Sequence, residues 1–385
     1  MIAANVSLLK NKYFYLATII AALVFMPHVY WQFQHDFPTI NYHFFERSSA
    51  PFAIVNVLAY IAFQPLILSL LSLFFLPKIA MKKYDTILDK TMKFTLFGFL
   101  IFFFAMSFKG WVEGHWTLIV AIPYIVLMYG FIEENFEKYF RWIKIFAIAN
   151  VLLILLVKFE LITGVVAQKI KIENDFYNAK KWANAINEKC KNGTVVFMNS
   201  YQKAGRYSFY GHDFALSLNN LSGRKNQYNI WNTDSLIERQ PIYLFPNYDV
   251  GFTDFVSVGN EKIFYKKYDT FYSYNRIVFQ PENNKIKASP NLEIAVNVVL
   301  KNPQNKPIKS LTELTPKITL HIFQGKKWVS YFNTEITIQD SLCEKSIAIP
   351  IKLPQEKGKY KAYVGVAVGF LPPTFNSKPI SITVE

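Results

Sequence analysis

The first 166 residues alternate between long uncharged apolar runs and short lysine-rich stretches, and that alternation leaves few folds open. Apolar runs of about 18 residues or more read as membrane spans. Five segments stand out, at residues 13–31, 52–76, 94–108, 116–132 and 142–157. The third and fourth are short by count. Flanking aromatics and glycine extend each toward the ~20 residues that a bilayer core requires. A re-entrant hairpin is the alternative for that pair, and two spans is the preferred reading. Pro27-His28 is not followed by a small-residue cleavage site, so the first run is expected to stay in the membrane.

The charges between these runs give an orientation. Lys10 and Lys12 precede the first run, and Lys78, Lys82, Lys83, Lys90 and Lys93 separate the second from the third. Lys138, Arg141 and Lys144 separate the fourth from the fifth. The intervals 32–51 and 109–115 hold fewer cations. The positive-inside rule then puts the amino terminus in the cytoplasm, and five crossings put everything after about Lys158 on the extracytoplasmic side. The net charge of +15 suits lysines facing anionic lipid. With no basic recognition helix, Cys/His finger or RNA-binding aromatic motif, the lipid bilayer is the expected partner and nucleic acid is not.

After residue 166 the chain changes character. Phe176, Ala179, Trp182, Ala183 and Ile186 have helical spacing, which predicts an amphipathic helix over 175–190. A strand at 194–198 follows Asn192-Gly193, with a short helix at 202–210 and another strand at 242–245. This alternation predicts a small α/β domain at 167–280. Residues 268–279 fit a strand or a linker. Alternating runs at 292–300, 317–323, 328–332, 346–351 and 359–368, separated by Pro, Asn and Gly, predict an antiparallel, Ig-like β-sandwich at 281–385. The expected fold is therefore an α-helical multi-span membrane bundle (1–166), then the α/β domain, then the sandwich. Cys190 and Cys343 fall in different predicted domains and no C-x-x-C occurs, so a disulfide between them is left open.

Two stretches between apolar runs carry chemistry. Trp31-Gln32-Phe33-Gln34-His35-Asp36-Phe37-Pro38-Thr39 ends the first run, and Lys109-Gly110-Trp111-Val112-Glu113-Gly114-His115-Trp116 joins the third to the fourth. Both combine carboxylate, imidazole and indole, with Arg47 or Lys109 as nearby cations. They read as two walls of one site at a membrane surface, or as interfacial loops of an aromatic belt. Asp36 and Glu113 are the candidate catalytic carboxylates. His35, Lys109, His115, Trp111 and Trp116 are the candidate substrate-binding residues. Lys109 suits a phosphate as a point charge, or snorkels at the interface. The indoles of Trp31, Trp111 and Trp116 suit the belt first and sugar faces second. Glu46 and Arg47 read as a surface pair. No compact metal-ligand spacing occurs, so no cofactor is implied and a divalent metal is neither required nor excluded.

The first of these stretches, from Pro27 to Thr39, resembles the late transmembrane region of family 39 glycosyltransferases, relatives of dolichyl-phosphate-mannose–protein mannosyltransferase. Lys109-Gly110 with Glu113-Gly114-His115-Trp116 resembles that family's next outward loop. Asn199-Ser200-Tyr201-Gln202-Lys203-Ala204, Ser208-Phe209-Tyr210 and Asn226-Gln227-Tyr228-Asn229-Ile230-Trp231 resemble its soluble tail. The likeness covers roughly residues 13–250 and excludes the predicted sandwich.

The resemblance implies a GT-C type membrane enzyme. Such an enzyme transfers a sugar from a polyprenyl-phosphate carrier to an envelope acceptor on the extracytoplasmic face. A carboxylate activates the acceptor, and cationic or hydrogen-bonding groups stabilise the leaving phosphate. The family's principal carboxylate lies in an acidic pair early in its chain, whereas no Asp or Glu precedes Asp36 here. The expectation is a carboxyl-terminal half that works with an amino-terminal half or a partner subunit. The competing expectation is a non-catalytic, membrane-anchored envelope protein whose sandwich binds glycan or protein.

Overall fold

The computed structural model describes residues 6–35, 37–46, 51–170, 177–259, 261–303, 315–325, 327–338, 344–369 and 371–385. The chain forms two compact units, Met1–Asn174 and Asp175–Glu385.

In the first unit a 3-10 turn at Val6–Lys10 leads into α1 (Lys12–Gln34). Asn11 caps α1 by accepting the Tyr13 N–H at 2.9 Å, so a polar residue just ahead of the apolar run starts the helix. Then come α2 (Pro38–Ile40) and a π-helical turn at Asn41–Glu46. Helices α3 (Ile54–Ile67), α4 (Ser72–Met81) and α5 (Ile87–Ser107) follow. A 3-10 stretch, Gly114–Val120, runs into α6 (Ala121–Glu134), and α7 (Phe136–Thr163) and α8 (Val165–Ile170) complete the unit.

Among the described residues three helices are long and apolar enough to cross a membrane: Lys12–Gln34, Gly114–Glu134 and Phe136–Thr163. The bent pair of α3 and α4 makes a fourth if it is one span. The only buried residue of α1 is Gln32, and α7 buries none. Water does not tolerate apolar faces of this extent, whereas hydrocarbon does, and a helix satisfies its own backbone there.

The second apolar run, 52–76, is not one helix. α3 and α4 meet at 96°. Pro65 sits in the last turn of α3, where it lacks an N–H and its ring crowds the preceding turn. Ser69 then takes a left-handed conformation, φ 79°. The break frees the Leu70 N–H, which donates to Asn150 Oδ1 of α7 at 3.3 Å. Apolar periodicity survives such a break, so only the proline announced it. The predicted 94–108 span is the later part of α5. That helix starts at Ile87 because Thr86 caps it, accepting the Asp89 N–H at 3.0 Å. Lys138, Arg141 and Lys144, expected between helices, ride on the first turns of α7.

A core of Phe75, Ile79, Leu96, Val120, Tyr124 and Leu127 holds α4, α5 and α6 together. α7 joins along one face. Tyr139 and Phe146 meet Phe74 with ring centres at 5.4 and 6.4 Å, Ile143 packs on the core, and Asn150 caps the break. Spacings of four, three and four residues make this a single helical stripe.

The second unit opens with α9 (Ala179–Lys189), β1 (Thr194–Met198), α10 (Tyr201–Gly211) and β2 (Ala215–Leu218). α11 (Gln227–Ile230), β3 (Ile242–Phe245), β4 (Asp254–Val258) and β5 (Glu261–Tyr268) follow. Their sheet has the order β2-β1-β3-β5-β4. β1 runs parallel to β2 and β3, and β5 runs antiparallel to β3 and β4. α9 buries Ala179, Trp182, Ala183 and Ile186 on this sheet, the face its periodicity predicts.

Eight more strands follow: β6 (Val278–Pro281), β7 (Lys285–Ala288), β8 (Glu293–Lys301), β9 (Lys317–Gln324), β10 (Lys327–Thr337), β11 (Lys345–Lys352), β12 (Gly358–Ala367) and β13 (Ile380–Val384). They form two open sheets, β10-β9-β12-β13-β7 and β11-β8-β6. The expectation of purely antiparallel pairing is corrected at one edge, where β13 runs parallel to β7. Strands β8 to β12 lie between those two in sequence, so no hairpin imposes opposite directions.

A division at 280/281 does not appear as a break in packing. One apolar core contains Val196, Leu216 and Leu244 of the first sheet together with Val298, Leu320 and Val364 of the other two. Asn376 ties the seam. Its buried amide donates to Tyr274 O at 2.7 Å and Ile277 O at 2.8 Å, and its Oδ1 accepts the Val366 N–H at 2.9 Å.

Candidate functional site

The first loop is folded back on the end of α1. Gln32, 6% exposed, donates through Nε2 to Thr39 Oγ1 at 2.7 Å, and its Oε1 accepts the Thr39 N–H at 3.3 Å. Its carbonyl accepts the Phe37 N–H at 2.7 Å, with Phe37 in a left-handed turn. His35 caps α1, and its ring stacks on Trp31 with centres 4.5 Å apart. His35 Nδ1 lies 2.8 Å from the Trp31 carbonyl. A carbonyl only accepts, so Nδ1 carries the hydrogen, and in the neutral imidazole Nε2 keeps its lone pair. Asp36 and Arg47 lie outside the described residues.

The second loop follows α5. Lys109 is exposed just past the helix, its N–H bonded to Met106 O at 3.0 Å. Trp111 turns to Phe63 of α3, ring centres 6.0 Å apart, while Val112 is buried. Glu113, half-buried, is the N-cap of the 3-10 stretch, and its carbonyl accepts the Trp116 N–H at 3.0 Å. A Cβ on Gly114 would lie 3.1 Å from Ile67 Cδ1, so the small residue lets the loop approach α3. His115 is exposed beside Trp116.

The two loops meet through His43 and Trp116, with ring centres 5.6 Å apart. Trp116 also contacts Phe103 of α5 at 6.3 Å. The contact thus joins the tail of the first loop to the second at the carboxyl-terminal end of α5. The lysine-rich segments gather at the amino-terminal end of α5. There Lys82 Nζ lies 2.5 Å from Glu134 Oε2, and Lys78 Nζ stands 5.1 Å from the Tyr139 ring. His35 and Trp111 pack on Trp31 and Phe63 and not on one another. His43 and Gln32 carry more of the loop geometry than the sequence suggested. The signal for Gln32 is an amide, one of two with Gln34, at the end of a largely apolar helix.

In the second unit the tail motifs also converge. Asn199 Nδ2 donates to Asn220 Oδ1 at 2.8 Å and to Ser222 Oγ at 3.0 Å. Asn219 Nδ2 donates to Asn226 and Asn229 Oδ1 at 2.9 and 2.7 Å. Gly223 is required here, because a Cβ would fall 2.2 Å from Asn199 Oδ1. These residues follow the carboxyl ends of parallel β1 and β2, where open α/β sheets bind ligands. Here the amides bind one another, so the network braces the loops.

Cys190 is buried with a free thiol, pushed up to about 12 by burial, and Cys343 lies outside the described residues. Among the described residues no three His, Cys, Asp or Glu side chains gather into a metal-binding group. No protein-family model matches the chain, and no curated protein matches it.

Proposed function

We propose that this chain is the membrane-embedded carboxyl-terminal part of a GT-C type glycosyltransferase similar to family 39. In this reading it transfers a sugar from a polyprenyl-phosphate carrier to an envelope acceptor, with a partner segment supplying the acidic pair. This reading counts α5 and the α3–α4 pair as crossings beside α1, α6 and α7, five in all, with the amino terminus in the cytoplasm and the Ig-like tail outside. Glu113 and Asp36 orient or deprotonate the acceptor, Lys109 holds the carrier phosphate, and His35, His115, Trp111 and Trp116 line the sugar. The observation that carries this reading is the His43–Trp116 contact, which joins the tail of the first outward loop to the second at the end of α5 away from the lysines. The experiment is transfer from a polyprenyl-phosphate sugar in proteoliposomes holding the chain and its neighbouring gene product. Activity should be lost in Glu113→Gln. Undiminished turnover in that variant, together with Asp36→Asn, removes the reading.

A second reading, a glycan-binding envelope anchor, is favoured by the outer face of β9 and β10. Trp328 and Tyr331, 40% and 60% exposed, flank Phe323 and His321 there. Exposed indole and phenol rings on a rigid sheet suit the apolar faces of sugars. Glycan binding that survives loss of transfer and disappears in Trp328→Ala selects this reading.

A further inference from the structure

The amino-terminal end of α5 and the carboxyl-terminal end of α4 flank a wide, open cavity of about 770 Å³. Its lining joins Lys82, Lys83, Lys90 and Lys93 to Tyr84, Phe94 and Phe97, with Asp85 as the one acidic residue. Two of the lysines have structural roles. Lys82 pairs with Glu134, and Lys93 Nζ donates to Ala80 O at 2.6 Å and Lys82 O at 2.8 Å, closing the end of α4. Both ammonium groups also stand over the Tyr84 ring, at 5.3 and 5.6 Å. Lys83 and Lys90 have no carboxylate partner among the described residues. Glu134 pairs with Lys82, Asp85 is in the lining and Asp89 lies near Tyr84, but the four lysines still outnumber these carboxylates and leave the cavity net positive. The Tyr84 hydroxyl adjoining it is buried with no hydrogen-bond partner.

The cavity is also split by polarity. Phe94 and Phe97 form its wall where α5 turns from charged residues to the apolar sequence Phe99–Phe104. A free phosphate has no use for that wall, whereas a lipid presents a phosphate and a hydrocarbon chain to the two halves together. We propose that this cavity is a binding site for the phosphate headgroup of an anionic membrane lipid, with Lys83 and Lys90 as its principal cations. The proposal does not rest on the transfer reading. Basic pockets between helices at a membrane surface suit such headgroups by charge and position.

The test is native mass spectrometry of the full chain released from nanodiscs of phosphatidylcholine mixed with phosphatidylglycerol. The wild-type chain should retain phosphatidylglycerol selectively, and retention should fall as salt rises. Lys83→Gln/Lys90→Gln should lower the retained ratio about tenfold or more, while Lys138→Gln/Lys144→Gln should leave it unchanged. Melting in pure phosphatidylcholine checks that the variants are folded, and the wild-type salt series stands if they are not. No lipid preference, equal loss in both double variants, or salt-independent retention overturns the proposal. So does full displacement of lipid by inorganic phosphate, which would make this a free-anion site.

Discussion

The imidazole of His43 meets the indole of Trp116 nearly edge-on, with ring centres 5.6 Å apart and planes at 67°. The two residues lie on either side of α3, α4 and α5, so the contact closes a long excursion of the chain. It brings the second loop against the end of the first. If the loops form one carrier site, Lys109→Ala should weaken binding of a polyprenyl-phosphate analogue by about tenfold. The loss should shrink as salt rises, because Lys109 is exposed. Glu113→Gln should reduce transfer about a hundredfold or more while leaving analogue binding intact. Unchanged binding and unchanged turnover would make both loops interfacial anchors.

The distribution of lysines gives a topology that labelling can read. Cysteines are introduced singly at Asp85 and Leu236, both exposed, in a background with Cys190→Ala and Cys343→Ser. An impermeant maleimide added to intact cells should modify position 236 and spare position 85. Modification of position 85 before lysis would reverse the orientation.

His321 should make the second unit acid-sensitive. It is 3% exposed, and burial pushes its imidazole down to about 4. Thr319 donates its hydroxyl hydrogen to Gly365 O at 3.2 Å, so it accepts the His321 Nε2–H at 2.7 Å. Nδ1 is left bare, without a hydrogen-bond partner. The unfolded chain takes up the proton near pH 6.5 and the folded chain only near 4, so stability falls as pH drops through that window. The loss is about 3 kcal/mol once both are passed. Urea melts of the full chain between pH 7 and pH 4 should show it, and His321→Gln should flatten that limb. An equally steep limb in the variant assigns the effect to other groups.

The Cys190 thiol should be inert in the folded chain. Burial disfavours the thiolate that alkylation requires. In Cys343→Ser, iodoacetamide should react only after denaturation, and prompt modification under native conditions would contradict the packing around Trp182 and Ile186.

Asn376→Ala should destabilise the second unit by about 3 kcal/mol, because it orphans the buried Ile277 carbonyl and the buried Val366 N–H and leaves Tyr274 O with the Ile277 N–H alone. The measurement is the thermal midpoint of the full chain in detergent. An unchanged midpoint would mean that water replaces the amide without loss.

Much of the architecture is legible in the residues. The β-branched run Thr194–Met198 is β1, and Ile242–Phe245 is β3, as their composition predicts. The spacing of Trp182, Ala183 and Ile186 gives the buried face of α9. Short elements carry too little pattern to read: β7 alternates but over only four residues, and β2 is buried at every position and so shows no alternation. The shared core around Leu244 and Leu320 was hidden because apolar alternation shows which face is buried, not what covers it. In the loops, residue types marked Trp116 and Glu113. The partner of Trp116 is a histidine far away in sequence, which no local pattern could supply.

The Asn150–Leu70 hydrogen bond makes the interrupted helix act as a detent for its long neighbour. No residue of α7 is fully buried, and Tyr139, Ile143 and Phe146 turn one apolar face of it to the core. A turn away from the seam would strand the Leu70 N–H and the Asn150 amide in hydrocarbon, where each lost partner costs several kcal/mol. One amide therefore adds a polar stop to the apolar stripe that sets the rotation of this 28-residue helix.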